Sequence, residues 1–447
     1  MAAQCKVPSS AFYNPSMVDM PGRATAAIAI ALISFLTTPR GAAAQDLAIV
    51  NARIVDGKGG VIERGTLVVR AGKIASVSSG AARPAAGVQT IDAQGRTLMP
   101  GFIDAHRHIA QGDPVEWLAK RATAQMQEFL EAGFTTVLCA ICPDQAIELR
   151  QRIESGAVKG PRLYLASLVP LARAAVPGGG RGDPARFDNS RPPRRPTQAA
   201  GAIPPAETVK AVETIASKKY DYIKTVITTT PGGPETETLK LIVSEGKKHN
   251  LPTITHAVSV IDTLAAVEAR PDVLVHTPHI GRLEEDAAAV KRIASAGIPM
   301  TSTLAVFVPH FGDDNRPLFR DAMPFPWETI SSAGQGPVNA RLLWEGGISY
   351  GYGTDTSWAP KISLADELRA LTVVFSPRDI TRILGQGAAR SVLKHDQIGT
   401  LDVGKLADLV LVDGNPLTDV NDLTKVVTTI KAGRIVFDRR SVPAKAR

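Results

Sequence analysis

Cysteine is almost absent: three residues in a chain of 447. Cys5 falls in an N-terminal stretch with the features of an export signal. That leaves Cys139 and Cys142, a single pair and not the disulfide framework that staples small secreted domains. On a continuing strand, residues three apart face opposite sides, so a bond between them needs a turn. The pair therefore reads as two small core residues, with a redox or metal pair as the alternative. Aromatic residues make up 5 % of the chain, with four Trp and six Tyr, too few for a base-stacking platform. Basic residues exceed acidic ones by eight but are scattered, apart from one local arginine cluster, and this excludes a nucleic-acid footprint. No internal repeat is present beyond an alternation of strand and helix patterns. The longest N-terminal apolar run, Ala24 to Leu36, is shorter than a membrane span.

That run follows Arg23 and leads through Pro39 to Ala42-Ala43-Ala44, a small-residue cleavage pattern. Residues 1–44 are expected to be a signal peptide, so the mature chain begins at Gln45 with a net charge of about +6 and is exported, periplasmic or secreted. Initiation at Met20 gives a more ordinary signal. No membrane span is expected to survive cleavage.

Residues 45–97 read as short strands: Leu47 to Val55, Thr66 to Arg70, Lys73 to Val77 and Thr90 to Asp92, punctuated by Gly and Asp turns. Residues 396–447 mirror this, with strand patterns at Ala407–Val412 and Val426–Val436 and turn signals at Asp413-Gly414 and Ala432-Gly433. Between them, residues 98–395 carry eight strand-like runs: Leu98–His108, Phe134–Cys142, Arg162–Val169, Tyr222–Thr228, Thr253–Val258, Val273–Thr277, Met300–Phe307 and Ser349–Asp355. Helical periodicity separates them at Leu118–Ala132, Pro205–Lys219, Glu235–His249 and Leu283–Ala296. The predicted fold is α/β: a (β/α)8 TIM-type barrel with a small composite β-sandwich domain built from both chain ends. Two long irregular stretches, Ala174 to Pro204 and Val308 to Gly336, follow the third and seventh barrel strands and are expected to overhang the mouth.

Chemistry-bearing residues fall where barrel strands end. In Pro100-Gly101-Phe102-Ile103-Asp104-Ala105-His106-Arg107-His108, the two histidines are two apart, so on a strand both point to one side and can grip one metal ion while Arg107 faces away. Lys224, His256, His276 and Asp355 lie at or towards the ends of the fourth, fifth, sixth and eighth strands. Lys224 alone has the default reading of a surface lysine, but it sits in the apolar run Tyr222–Val226. His256 has a hydrogen-bonded core histidine as its alternative. His276 and His279 compete in His276-Thr277-Pro278-His279; His276 ends the strand, and His279 is expected to line the pocket or cap the next helix. Arg181, in the arginine-rich stretch, and His310 are further substrate-binding candidates. The arginines can hold a carboxylate in bidentate fashion, against the plainer reading of a solvated basic loop.

Together, Pro-Gly-Phe-Ile-Asp-x-His-x-His, the strand-borne Lys224, the two spaced histidines and Gly353-Thr354-Asp355 resemble the amidohydrolase superfamily. The tail Ile398-Gly399-Thr400-Leu401-Asp402-Val403-Gly404-Lys405-Leu406-Ala407-Asp408-Leu409 is similar to that superfamily's recurrent C-terminal run. The lysine places the resemblance in the binuclear branch of Xaa-Pro dipeptidases and ochratoxin-type amidases. The resemblance implies two divalent metal ions, most often zinc, with His106 and His108 on the first, His256 and His276 on the second, Asp355 as ligand and proton acceptor, and a carbon dioxide-derived carbamate on Lys224 bridging both. It implies hydrolysis of an amide C–N bond in a small molecule or dipeptide-like substrate by a hydroxide shared between the metals. Alternatives are a mononuclear deaminase of the same superfamily, a lactonase, esterase or phosphoesterase, and a non-catalytic scaffold. Barrels of this type often pair, which leaves a homo-oligomer open. Two departures bear on substrate: Gly178-Gly179-Gly180 stands where related dipeptidases often carry a histidine, and Thr225 to Gly233 differs from a dipeptidase pattern.

Overall fold

The computed structural model describes residues 46–80, 87–173, 198–307 and 334–440. The predicted signal and the candidates Arg181 and His310 lie outside these residues. Among the described residues no helix is long and apolar enough to cross a membrane.

The N-terminal strands are β1 (Leu47–Val55), β2 (Val61–Arg70), β3 (Lys73–Ser79), β4 (Gln89–Asp92) and β5 (Thr97–Pro100). The barrel strands are β6 (Phe102–Arg107), β7 (Phe134–Cys139), β8 (Arg162–Leu168), β9 (Tyr222–Val226), β10 (Thr253–His256), β11 (Val273–Val275), β12 (Met300–Thr301) and β13 (Tyr350–Gly351). The C-terminal strands are β14 (Leu409–Val412), β15 (Val426–Lys431) and β16 (Arg434–Asp438).

β6 to β13 form one parallel sheet in chain order. Backbone bonds from Ala105 N to Tyr352 O (3.0 Å), Thr354 N to His106 O (3.1 Å) and His108 N to Thr356 O (3.1 Å) join its first and last strands, closing the (β/α)8 barrel. The terminal strands run in the order β16-β15-β14-β5-β1-β2-β3, with β4 beside β1. β14 pairs antiparallel with β5, so both chain ends build one separate sheet domain around Leu47, Ile49, Leu67, Val69, Leu98, Leu409 and Leu411.

The run predicted as one strand, Leu98–His108, divides at Gly101. A Cβ there would lie 2.4 Å from the Thr135 side chain, and Gly101 N donates to Asp408 O at 2.8 Å. Pro100 thus stays in the terminal sheet and Phe102 starts the barrel. Asp408 binds the two together: its carboxylate also accepts Arg162 Nη1 of β8 (2.7 Å) and Ala432 N (2.7 Å).

The helical pattern at Leu118–Ala132 becomes α1 (Pro114–Lys120) and α2 (Ala122–Glu131). Asp113 starts α1 by accepting Glu116 N at 2.8 Å, with Pro114 in the first turn. In α2, Ala122, Met126, Phe129 and Leu130 share the buried face, as helical spacing requires. Further helices among the described residues include α3 (Gln145–Glu154), α4 (Pro205–Ser217), α5 (Glu235–Lys248), α6 (Val260–Ala269), α7 (Ala287–Ser295), α8 (Gln335–Glu345), α9 (Pro360–Leu371) and α10 (Pro377–Arg382). After α10 a π-helical turn, Ile383–Gly387, presses on β13: a Cβ at Gly387 would sit 1.7 Å from Tyr350 O. Gly387→Ala is expected to cost roughly 3 kcal/mol, because the clash is with backbone that cannot rotate away. A lowered urea midpoint is the readout; a wild-type midpoint would show that the turn has room to move.

Cys139 and Cys142 are buried, but as a bonded pair and not as two free core thiols. β7 ends at Cys139, the chain turns, and Cys142 returns to within 5.8 Å (Cα–Cα) to form a disulfide with it. The flanking strands hold this turn on both sides: Ala140 N donates to Arg107 O (2.8 Å) and Cys142 N to Ala166 O (3.0 Å).

Candidate metal centre

The barrel strands place their inward residues in layers. On β9, Tyr222 and Lys224 share a face; Tyr222 donates its hydroxyl to Val392 O (2.5 Å) on the barrel floor, and Lys224 stands one layer nearer the mouth. At that level the chain departs from strand geometry in three places. His276, Thr303 and Asp355 adopt left-handed backbone, with φ of 77°, 43° and 54°. For residues with a Cβ this costs roughly 1–2 kcal/mol each, and such conformations concentrate at functional sites. The left-handed turns stop the alternation of β11, β12 and β13 and free these side chains to meet.

They meet at one carboxylate. His106 Nε2 lies 3.0 Å and His108 Nε2 2.9 Å from Asp355 Oδ1, while His276 Nε2 lies 3.7 Å from Oδ2. The His256 ring, at the end of β10, packs 4.3 Å (centroid to centroid) from His276, and the His106 ring is 5.0 Å from His276. Asp355 is 21 % and His108 25 % exposed, so the cluster opens to the mouth, whereas His106 and His276 are buried.

The electrostatics favour neutral imidazoles around an anion. Burial, then the nearby Lys224 cation, pushes His106 and His256 down to about 3. Burial and the His256 charge hold His276 well below its ordinary value. Burial opposes ionisation of Asp355, but His106 and His276 and the hydrogen bonds from His106 and His108 outweigh it and hold the carboxyl well below the usual range. Lys224 is 2 % exposed, and its Nζ has no hydrogen-bond partner. Burial lowers its pKa to about 7, with Asp355 opposing the shift.

Among the described residues, His106, His276 and Asp355 offer ligand atoms within 4.8 Å of one another, a group that can hold a metal ion. Unsatisfied buried atoms fit this: His276 Nε2 and Lys224 Nζ both lack partners. A buried nitrogen without a partner costs free energy that a cation or its bridging anion can offset.

A family model for the amidohydrolase family matches residues 97–436. The chain belongs to the amidohydrolase family. It is a hydrolase acting on carbon–nitrogen bonds, in a family that generally uses divalent metal ions. This amidohydrolase is 24 % identical over 435 residues to an imidazolonepropionase of Shouchella clausii, covering 85 % of this chain and 87 % of that one. It shares its fold with an Xaa-Pro dipeptidase solved with methionine in its active site, at a TM-score of 0.71, 22 % identity and coverage of 88 % of this chain and 99 % of that one. It likewise shares the fold of the Aspergillus niger ochratoxinase, at a TM-score of 0.67, 20 % identity and coverage of 89 % and 96 %.

Of the residues predicted for this site, His106, His108, His276 and Asp355 are joined directly, and His256 and Lys224 stand beside them. His279 is 2 % exposed and lacks partners on both ring nitrogens; its ring packs 3.7 Å from Phe307, which also touches His276. Sequence reasoning missed Thr303. Its hydroxyl holds His276 Nδ1 at 2.8 Å, which directs Nε2 to the cluster. Its only sequence signal is a hydroxyl in the middle of the predicted run Met300–Phe307, of which only Met300–Thr301 forms a strand. Thr303→Val is expected to weaken divalent-metal binding roughly 10- to 100-fold, measured by chelator competition; unchanged affinity would assign Thr303 to packing alone.

Proposed function

We propose that this amidohydrolase cleaves an amide bond in a small-molecule or dipeptide-like substrate at a centre of two divalent ions. The observation that carries the reading is the convergence of three imidazoles on the Asp355 carboxylate beside a buried lysine with no partner. His106 and His108 hold one ion, His256 and His276 the other, and Asp355 contributes an oxygen ligand. Neutral imidazoles with a carboxylate suit zinc. Divalent ions held by these residues would supply Lewis-acid chemistry, a water activated near neutral pH and a polarised carbonyl.

The chain's own residues do the rest. Lys224, with a pKa near 7, is substantially neutral at physiological pH. Its lone pair can attack carbon dioxide and lose a proton, giving a carbamate whose anion compensates cationic charge where an ammonium would repel it. Asp355 accepts a proton from the attacking water and returns it to the leaving nitrogen. Residues 1–44 direct export, a reading supported by the Cys139–Cys142 disulfide, which persists in an oxidising compartment; a mature N-terminus at Gln45 is the corresponding measurement.

The deciding experiment is hydrolysis profiling of the zinc-loaded mature protein against N-acyl amino acids, dipeptides, aryl amides and lactones, with metal content measured in parallel. Turnover of amides with two metal equivalents supports the reading; turnover of lactones alone overturns the amide assignment. One observation favours a second reading. The close ligand group comprises His106, His276 and Asp355 only, which fits a single ion. One equivalent of metal with ammonia as the product would establish the mononuclear deaminase instead.

A further inference from the structure

The residue between the two metal-binding histidines has its own task. Arg107 is 0 % exposed. It turns away from the ligands toward the helix layer, with its guanidinium 5.2 Å above the Phe129 ring of α2. Its polar contacts run almost entirely to one segment of chain, the one that carries Asp355. Nη1 donates to Thr354 Oγ1 (3.0 Å) and to Thr356 Oγ1 (2.8 Å), and Nη2 donates to Trp358 O. A single nitrogen therefore holds the hydroxyls on both sides of Asp355. Asp104 Oδ2, the nearest carboxylate oxygen, is 3.8 Å away and accepts the Thr354 hydroxyl at 2.8 Å. Thr356 Oγ1 is also 2.8 Å from Ser363 Oγ on α9.

Stability alone does not account for this arrangement. A buried guanidinium carries a large desolvation penalty, and apolar replacement of such groups is often neutral or favourable. Here the nearest anion stands beyond hydrogen-bond distance and Nε has no partner. What the guanidinium does secure is a segment that needs securing: Asp355 has a φ of 54°, which the local sequence does not favour. A planar group with several fixed donors can bind two hydroxyls and a carbonyl at once; a lysine ammonium lacks that fork.

We propose that Arg107 is a positioning residue that sets the Asp355 carboxylate for metal binding by clamping Thr354, Thr356 and Trp358 from behind the strand that bears His106 and His108. One strand thereby supplies two ligands on one face and fixes a third from the other. This inference rests on the reading of Asp355 as a ligand.

The test is a double-mutant cycle on zinc affinity, measured by chelator competition in the full mature protein, with the visible spectrum of the cobalt-loaded protein as a second readout. Arg107→Leu is expected to weaken zinc binding at least 10-fold and to change the cobalt spectrum, with Arg107→Lys recovering only part of the loss. Thr356→Val, which keeps the guanidinium, is expected to shift both in the same direction by a smaller factor and decides the matter if Arg107→Leu does not fold. In an Asp355→Ala background, Arg107→Leu and Thr356→Val should have no further effect on affinity. Wild-type affinity in Thr356→Val together with either Arg107 variant, or an undiminished loss in the Asp355→Ala background, would overturn the inference. The underlying ligand reading fails separately, if Asp355→Ala alone binds zinc like the wild type.

Discussion

Lys224→Met is expected to abolish zinc binding and hydrolysis while making the metal-free protein more stable. The two effects have one cause. In the fold the amine is buried without a partner and its pKa falls from 10.5 to about 7. Between those values the unfolded chain binds a proton that the native chain does not. Stability therefore rises with pH across that window, and at pH 7 the mismatch destabilises the native state by an amount on the order of 4 kcal/mol. Methionine has similar bulk and no proton to lose. In chelator-stripped protein, the urea midpoint of Lys224→Met should exceed that of the wild type at pH 7, with the gap closing toward pH 10. A variant that is less stable at pH 7, or a gap that does not depend on pH, contradicts the assignment of a buried neutral amine. A variant that keeps both zinc and turnover removes Lys224 from the centre.

The second large effect concerns Asp355. Asp355→Asn keeps the shape of the side chain and removes its charge and its ability to accept a proton. The amide can still meet one imidazole, but a neutral group cannot serve His106, His108 and His276 together as the carboxylate does. Turnover is expected to fall about 10²- to 10⁴-fold, as for loss of a general acid–base group. The urea midpoint of the metal-free variant at neutral pH should fall, since the fold holds the carboxyl well below its ordinary range and that stabilisation goes with the charge, while the clamped backbone remains. A kcat within tenfold of wild type sinks the proton-transfer role.

The expected behaviour of Lys224→Met reflects how function is set against stability in this barrel. His276, Thr303 and Asp355 hold strained backbone, Lys224 is buried without a partner, and Arg107 is buried with its counter-charge at a distance. Each is unfavourable locally and is held by the surrounding barrel, whose strands and helices are locally consistent with their sequence.

The sequence by itself determined the alternation of strands and helices, the composite domain from the two chain ends, and six side chains at strand ends. These are legible because strand and helix periodicities are local and because His-x-His on a strand has a fixed geometry. The tertiary structure alone decided the rest. Gly101 ends one sheet and starts another because Thr135 and Asp408, distant in sequence, leave no other path. Cys139 meets Cys142 because the chain turns after β7, under bonds to both flanking strands, and brings the two Cα atoms within 5.8 Å. Thr303 and Arg107 gain their roles only from the left-handed turns that bring His276 and Asp355 inward, and no local pattern announces a positive φ at a histidine, a threonine or an aspartate. Periodicity fixes which way a side chain points along a regular strand; where the strand ends, direction is set by contacts hundreds of residues apart in sequence.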